Sequence, residues 1–327
     1  MRPAVCALIF IGRCSAADSP YIGPEACAKC HPAEYRKQVR SHHAGALRPI
    51  AQSPIYDLLL QSPRRANLTY KAQKDGVELT VDGGLAAQLQ WAFGDGAQGI
   101  TPVGTQGGRY FEHRFSYYTA PRQFALTFGH PKRVSGAEAE LGVLQETKTI
   151  SRCFGCHAIA PDLSDIRPGV TCERCHGPGR AHVAAAASGA AADFIRRSLV
   201  NPGRFPAKAQ VEICGACHRL PEPGSISPEP ELEDPVSVRF APIGLMASRC
   251  FIASKRLSCL TCHDPHDNAR PRSDPSYAGR CSACHATPAA SPSRCPRRTN
   301  PDCLSCHMRE ATLGPYLRFT DHRIRVN

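Results

Sequence analysis

Long apolar stretches are what this sequence of 327 residues lacks: past its first twenty residues, no run approaches the roughly 18 apolar residues of a membrane span. That argues against a transmembrane segment in the mature chain. Methionine is also scarce, at three residues, so thioether side chains cannot supply a recurrent metal ligand. Acidic residues are outnumbered, 28 against 40 Lys and Arg, which leaves a formal charge of +12. Such a balance invites a nucleic-acid reading, and the cysteines decide whether to accept it.

There are 18 cysteines, and most fall into one repeated unit, C-x-x-C-H. It occurs at Cys27-Cys30-His31, Cys153-Cys156-His157, Cys172-Cys175-His176 and Cys214-Cys217-His218. It recurs at Cys259-Cys262-His263, Cys281-Cys284-His285 and Cys303-Cys306-His307. Composition alone would give roughly 0.04 copies, so seven is a designed feature. The unit is the attachment signature of c-type haem: two thiols bond the porphyrin and the adjacent histidine ligates the iron. A zinc site needs four ligands in matched pairs and gives no reason for a histidine after every second cysteine. A redox dithiol likewise has no use for that histidine. Seven covalent haems are the expectation.

The start, "MRPAVCALIFIGRCSAADSP", combines Arg2, a short apolar run and small residues, and reads as a secretory leader over residues 1–17. A periplasmic or otherwise exported location follows, where disulfides are permitted. Cys250 and Cys295 then stand outside any motif and are the disulfide candidate, two free thiols being the alternative. Haem propionates and ferric iron would bring the mature charge to about +3, so no nucleic-acid partner is expected.

The motifs are unevenly spread. An N-terminal haem segment covers 18–65, and a six-haem cytochrome region covers 131–327 at about 26 residues per haem between Cys153 and His307. So little polypeptide cannot enclose each porphyrin conventionally, and the haems must stack as the core. Between these regions, 66–130 reads as a small β-rich insertion, with "LTYKAQ", "VELTVD" and "GRYFEHRFSYY" as strands. "PAEYRKQVRSHHAGAL" and "HVAAAASGAAADFIRRSL" read as helices, and 219–235 as a proline-rich loop. The expected fold is mostly coil and short α-helices wrapped around stacked covalent haems, with a small antiparallel β insertion.

Fourteen histidines leave seven outside the motifs: His42, His43, His113, His130, His182, His266 and His322. The count matches one distal ligand per haem. His263 and His266 are too close in sequence to sandwich one porphyrin, so distal ligands are expected to cross between motifs. Met246 and Met308 are further candidates, although Met308 directly follows a motif histidine.

Four stretches, "CAKCHPAEYRKQVRSHHAGAL", "GVTCERCHGPGRAHV", "LSCLTCHDPHD" and "CLSCHMREATLGPYLRFTDHRIR", resemble multihaem c-type cytochromes related to cytochrome c-554, including members fused to tetratricopeptide repeats. The resemblance implies a periplasmic electron carrier with closely packed haems, in which His43, His182 and His266 match distal ligands. Its partners would be redox proteins, such as quinol-linked or periplasmic electron donors and acceptors. The alternative is a multihaem oxidoreductase acting on a small nitrogen or sulfur compound at one five-coordinate haem. Lysine ligation of the kind some nitrite reductases use is excluded, because no C-x-x-C-K occurs. His113 and His130, with Arg114, Tyr117 and Tyr118, are the residues that could line such a pocket.

Overall fold

The computed structural model describes residues 19–61, 64–82, 84–221, 238–285 and 302–325. The leader, Cys295 and most of the proline-rich loop lie outside the described residues.

The dominant element is a curled antiparallel sheet of ten strands. They are β1 (Leu47–Pro49), β2 (Arg64–Arg65), β3 (Leu68–Gln73), β4 (Gly76–Val81) and β5 (Ala86–Phe93), then β6 (Gly99–Gln106), β7 (Arg109–His113), β8 (Phe115–Tyr118), β9 (Gln123–Leu126) and β10 (Gly142–Leu144). The order is β10-β7-β6-β5-β4-β3-β2, with β1 on β5, and β8 joining β6 to β9. The two longest strands, β5 and β6, each pair with three others. β5 pairs β4 through Ala86–Leu89 and β1 through Trp91–Phe93, with an irregularity in its β6 pairing between Leu89 and Trp91. A bulge of this kind bends a strand and tightens its twist. Gly104 sits opposite that bulge, where a Cβ would run into the Gln88 backbone, so no larger residue fits.

This sheet overturns the expectation of a mostly coil and short-helix fold with only a small β insertion. Its reason is a packed interior that the sequence reading underrated. Leu68, Val77, Leu79, Leu89, Ile100 and Phe111 are all at most 2 % exposed and form one cluster with Ile50, Ile55 and Leu59. At about 25 cal/mol per Å² of apolar surface, a conventional core of this kind holds the sheet together by itself.

The helices are short. The one after the first motif spans only Pro32–Gln38, and the chain then turns through His42 and His43 into β1. The alanine-rich helix is two, Arg180–Ala187 and Ala192–Arg197, parted at Gly189, whose φ of +69° suits glycine. A second apolar cluster joins sheet to haem motifs: Ile150 and Phe154 of the Thr147–His157 helix pack on Leu47, Val103, Trp91, Phe93 and Tyr110. Neither cluster contains a residue beyond Ile166. Among the described residues, the region holding the last five motifs has no comparable apolar core of its own. No helix of the described residues is long and apolar enough to cross a membrane.

Candidate haem-binding sites

Six of the seven motifs lie on helices, most of which end at the motif histidine: Thr147–His157, Cys172–His176, Ala207–His218, Cys259–Cys262, Ser276–His285 and Cys303–His307. The first motif continues the Pro24–Ala28 helix by one turn, with the His31 N–H donating to the Cys27 carbonyl at 2.9 Å. Spacing of i, i+3 and i+4 on such a turn puts both thiols and the imidazole on one side.

Thiols of different motifs meet. Cys27 contacts Cys172, Cys156 contacts Cys217, Cys214 contacts Cys259, and Cys281 contacts Cys303. These contacts join the first motif to the third, the second and fifth to the fourth, and the sixth to the seventh. Burial and then the Cys172 thiol push Cys27 up to about 11. Cys156 goes the other way: the Cys217 thiol donates to it, and Arg174, Arg152 and Arg219 add positive charge around it.

Three motif histidines each face a histidine from outside the motifs. His43 and His218 have ring centres 6.1 Å apart, His176 and His266 6.2 Å, and His263 and His322 6.2 Å. Two metal–nitrogen bonds of about 2 Å, plus about 1.1 Å from each nitrogen to its ring centre, span about 6.2 Å. The interplanar angles of the three pairs are 70°, 4° and 45°. Each pair crosses between motifs.

Hydrogen bonds to backbone carbonyls orient several of the histidine rings. Nδ1 of His157, His176 and His307 lies against the carbonyls of Ala46 (2.9 Å), Val200 (2.8 Å) and Arg325 (2.6 Å). Among the distal candidates, Nδ1 of His182 meets the Ile195 carbonyl at 3.0 Å and that of His322 the Thr320 carbonyl at 2.9 Å. His43 donates to the Pro265 carbonyl, and His266 Nδ1 lies 3.3 Å from the Asp264 carboxylate. An Nδ1–H held this way fixes the tautomer that leaves Nε2 as a ligand. Burial, and after it the imidazoles of His43, His322, His157 and His263, lower the pKa of His218, which favours the neutral ring a metal needs.

The other candidates are placed differently. His113 is fully buried inside the sheet, its Nε2 2.9 Å from the Tyr70 hydroxyl and its Nδ1 2.8 Å from the Leu141 carbonyl. Both nitrogens are taken, and burial holds its pKa down at about 4. His130 Nε2 lies 3.1 Å from Glu112. Arg114 bonds the Lys132 carbonyl at 3.1 Å and pairs with Glu140 at 3.9 Å, while Tyr117 packs on Phe124 and the Tyr118 hydroxyl donates to the Leu126 carbonyl. These residues are sheet structure. His42 is an exposed side chain paired with Asp95. His31 and His285 are exposed, and no histidine ring pairs with them among the ring contacts of the described residues. Of the methionines, Met246 ends the Ala241–Met246 helix, and Met308 caps the last motif's helix. Cys250 is half-buried near Cys284 and Cys262, and burial raises its pKa; its proposed partner lies outside the described residues.

The sequence reading missed four arginines around the second motif. Arg152, Arg174 and Arg219 surround Cys156, and Arg239 lies beside His157. Arg219 and Arg239 stack on Phe240 at 4.6 and 5.1 Å. A signal was present, since Arg152 precedes Cys153, Arg174 sits inside the third motif and Arg219 follows His218.

The residues fit haem. Thiol pairs and imidazoles share helical turns, histidine pairs stand at an iron-spanning distance, and the motif-dense region has no apolar core to rival the sheet's. They fit zinc poorly: among the described residues, no three His, Cys, Asp or Glu side chains converge as a metal-ion site.

No family model matches the chain. It is 22 % identical over a 377-residue alignment to dissimilatory sulfite reductase MccA of Wolinella succinogenes, covering 88 % of this chain and 50 % of that protein. The chain thus spans about half the length of this curated relative. Among solved structures, the outer cell wall cytochrome OcwA aligns with 61 % of this chain and 37 % of its own, at 20 % identity and a TM-score of 0.37. The motifs, with the likeness to this sulfite reductase, support a multihaem c-type cytochrome. The narrower kinship with cytochrome c-554 is not confirmed.

Proposed function

We propose that this chain is an exported heptahaem c-type cytochrome that passes electrons among closely packed haems held largely by cross-motif histidine pairs. The observation that carries this reading is the common 6.1–6.2 Å separation of His43–His218, His176–His266 and His263–His322. Haem supplies one-electron exchange at iron, and an open sixth position adds a place for a substrate to ligate. The polypeptide contributes spacing, axial imidazoles and their backbone hydrogen bonds. Its acceptors and donors would be redox proteins of the same compartment. Peptide mass spectrometry of the mature protein tests the attachment: seven haem-modified motif peptides support the reading, and unmodified thiols refute it.

A second reading has its own support. With His113 and His130 engaged inside the sheet, five distal candidates are left for seven motifs. At least two haems would then lack a distal histidine. The second motif suits an anionic substrate best, because Arg152, Arg174, Arg219 and Arg239 gather there. Taken with the kinship to a dissimilatory sulfite reductase, this favours reduction of a small sulfur or nitrogen oxyanion at that position. A ferric high-spin signal that changes when sulfite or nitrite is added tests it, and a spectrum indifferent to both contradicts it.

A further inference from the structure

The third motif carries Glu173 between its two cysteines, and that side chain is only 4 % exposed. Its carboxylate accepts from the Ile22 N–H at 3.0 and 3.1 Å, from the Gly23 N–H at 2.9 Å and from the Gly179 N–H at 2.7 Å. Both oxygens act as acceptors, the behaviour of an ionised carboxylate. Buried charges of this kind persist only where hydrogen bonds replace water.

The geometry is built around that carboxylate. Gly23 takes a φ of +81°, which turns its N–H inward at no steric cost. At Gly179 a Cβ would come within 3.1 Å of the Ile22 side chain and 3.2 Å of Glu173, so a larger residue would press on both side chains. Further contacts strap the same segment down: Arg167 donates to Ser19 Oγ at 2.8 Å, and the Arg180 N–H to the Pro20 carbonyl at 3.2 Å. The strapped residues lead directly into the Pro24–Ala28 helix that carries Cys27. At the end of this path the Cys27 thiol meets Cys172, the residue next to Glu173.

We propose that Glu173 is a positioning residue for electron transfer between the first and third haems. It fixes the distance between their attachment points and holds a negative charge beside both thioether positions. The inference rests on the haem-attachment reading above. A fixed negative charge near an iron favours its ferric state, so Glu173 lowers the potentials of these two haems relative to a neutral side chain. It donates nothing and touches no substrate; it acts through the two attachment turns.

The experiment compares the wild-type mature protein with Glu173→Gln and Glu173→Asp. Haem content is read by pyridine haemochrome and peptide mass spectrometry, and individual potentials by EPR-monitored redox titration. Glu173→Gln is expected to keep seven haems and to raise the midpoint potentials of two, leaving the others in place. Glu173→Asp retains the charge with a shorter reach, and is expected to raise the same two potentials less than glutamine does. Should Glu173→Gln fail to mature, the aspartate variant still decides: two selectively raised potentials support the role. A full haem complement with every potential at its wild-type value overturns the inference, as does a uniform drift of all seven. Wild-type protein without haem on Cys27 or Cys172 would instead overturn the reading on which it rests.

Discussion

The His43 imidazole stands 6.1 Å, centre to centre, from that of His218, although the whole ten-stranded sheet lies between them in sequence. The helix after the first motif and the turn behind it dock on the loop after the fifth motif, whose Cys259 meets Cys214 of the fourth. Lys37 pairs with Asp264 at 2.8 Å, the His42 N–H donates to Asn268 at 2.6 Å, and His43 donates to the Pro265 carbonyl. The sheet is therefore a long excursion between two segments that meet again at this histidine pair.

Replacing His43 by methionine should raise one haem potential, because a Met/His iron is harder to oxidise than a bis-His one. The same exchange at His42, whose ring pairs with Asp95 at the surface, should leave all potentials unchanged. Redox titration of the two variants separates neighbours that the sequence alone does not distinguish.

His113 gives a pH dependence unconnected with haem. Its pKa is held down to about 4 by burial, whereas an unfolded chain titrates near the ordinary 6.5. As pH falls through that window, the unfolded state binds a proton that the native state refuses. Stability should thus be complete above about pH 6.5 and fall by on the order of 3 kcal/mol by pH 4. Urea unfolding at pH 7 and pH 4.5 should show a smaller difference for His113→Gln than for wild type. The haem spectrum of that variant should be unaltered.

Phe111 is 1 % exposed in the centre of the sheet core. Phe111→Ala should cost about 3–5 kcal/mol, seen as a lower unfolding midpoint by far-UV circular dichroism. Cross-motif histidine pairs lie outside that core, so low-spin haem signals should survive in the folded variant.

At the second motif, Arg239→Gln removes a cation beside His157. If a small anion binds there, its apparent affinity should weaken about tenfold, the equivalent of roughly 1.4 kcal/mol. Titration of the oxidised protein with sulfite, followed by its high-spin EPR signal, measures this directly.

Attachment chemistry was legible because C-x-x-C-H is local: two thiols and an imidazole within one helical turn need no tertiary information. The sheet was legible only where strands alternate cleanly, as in "LTYKAQ" and "VELTV". β5 and β6 were missed. Ala86 and Ala87 have little strand propensity, and Pro102 and Gly104 argue against a strand. Context overrode both: Pro102 pairs with Ala92, and Gly104 admits the bulge of β5. The histidines outside the motifs were legible as candidates, but not which of them would face a motif histidine. What separates His113 from His43 is the buried Tyr70 hydroxyl against its Nε2, and that leaves no mark in sequence.

The most direct measurement is the EPR spectrum of the fully loaded, oxidised protein beside His43→Ala, His266→Ala and His322→Ala. The account predicts that each substitution converts one low-spin haem to high spin, at the fourth, third and fifth motifs respectively, and leaves the others unchanged. Three variants with wild-type spectra would contradict it, because the paired imidazoles would then not share an iron.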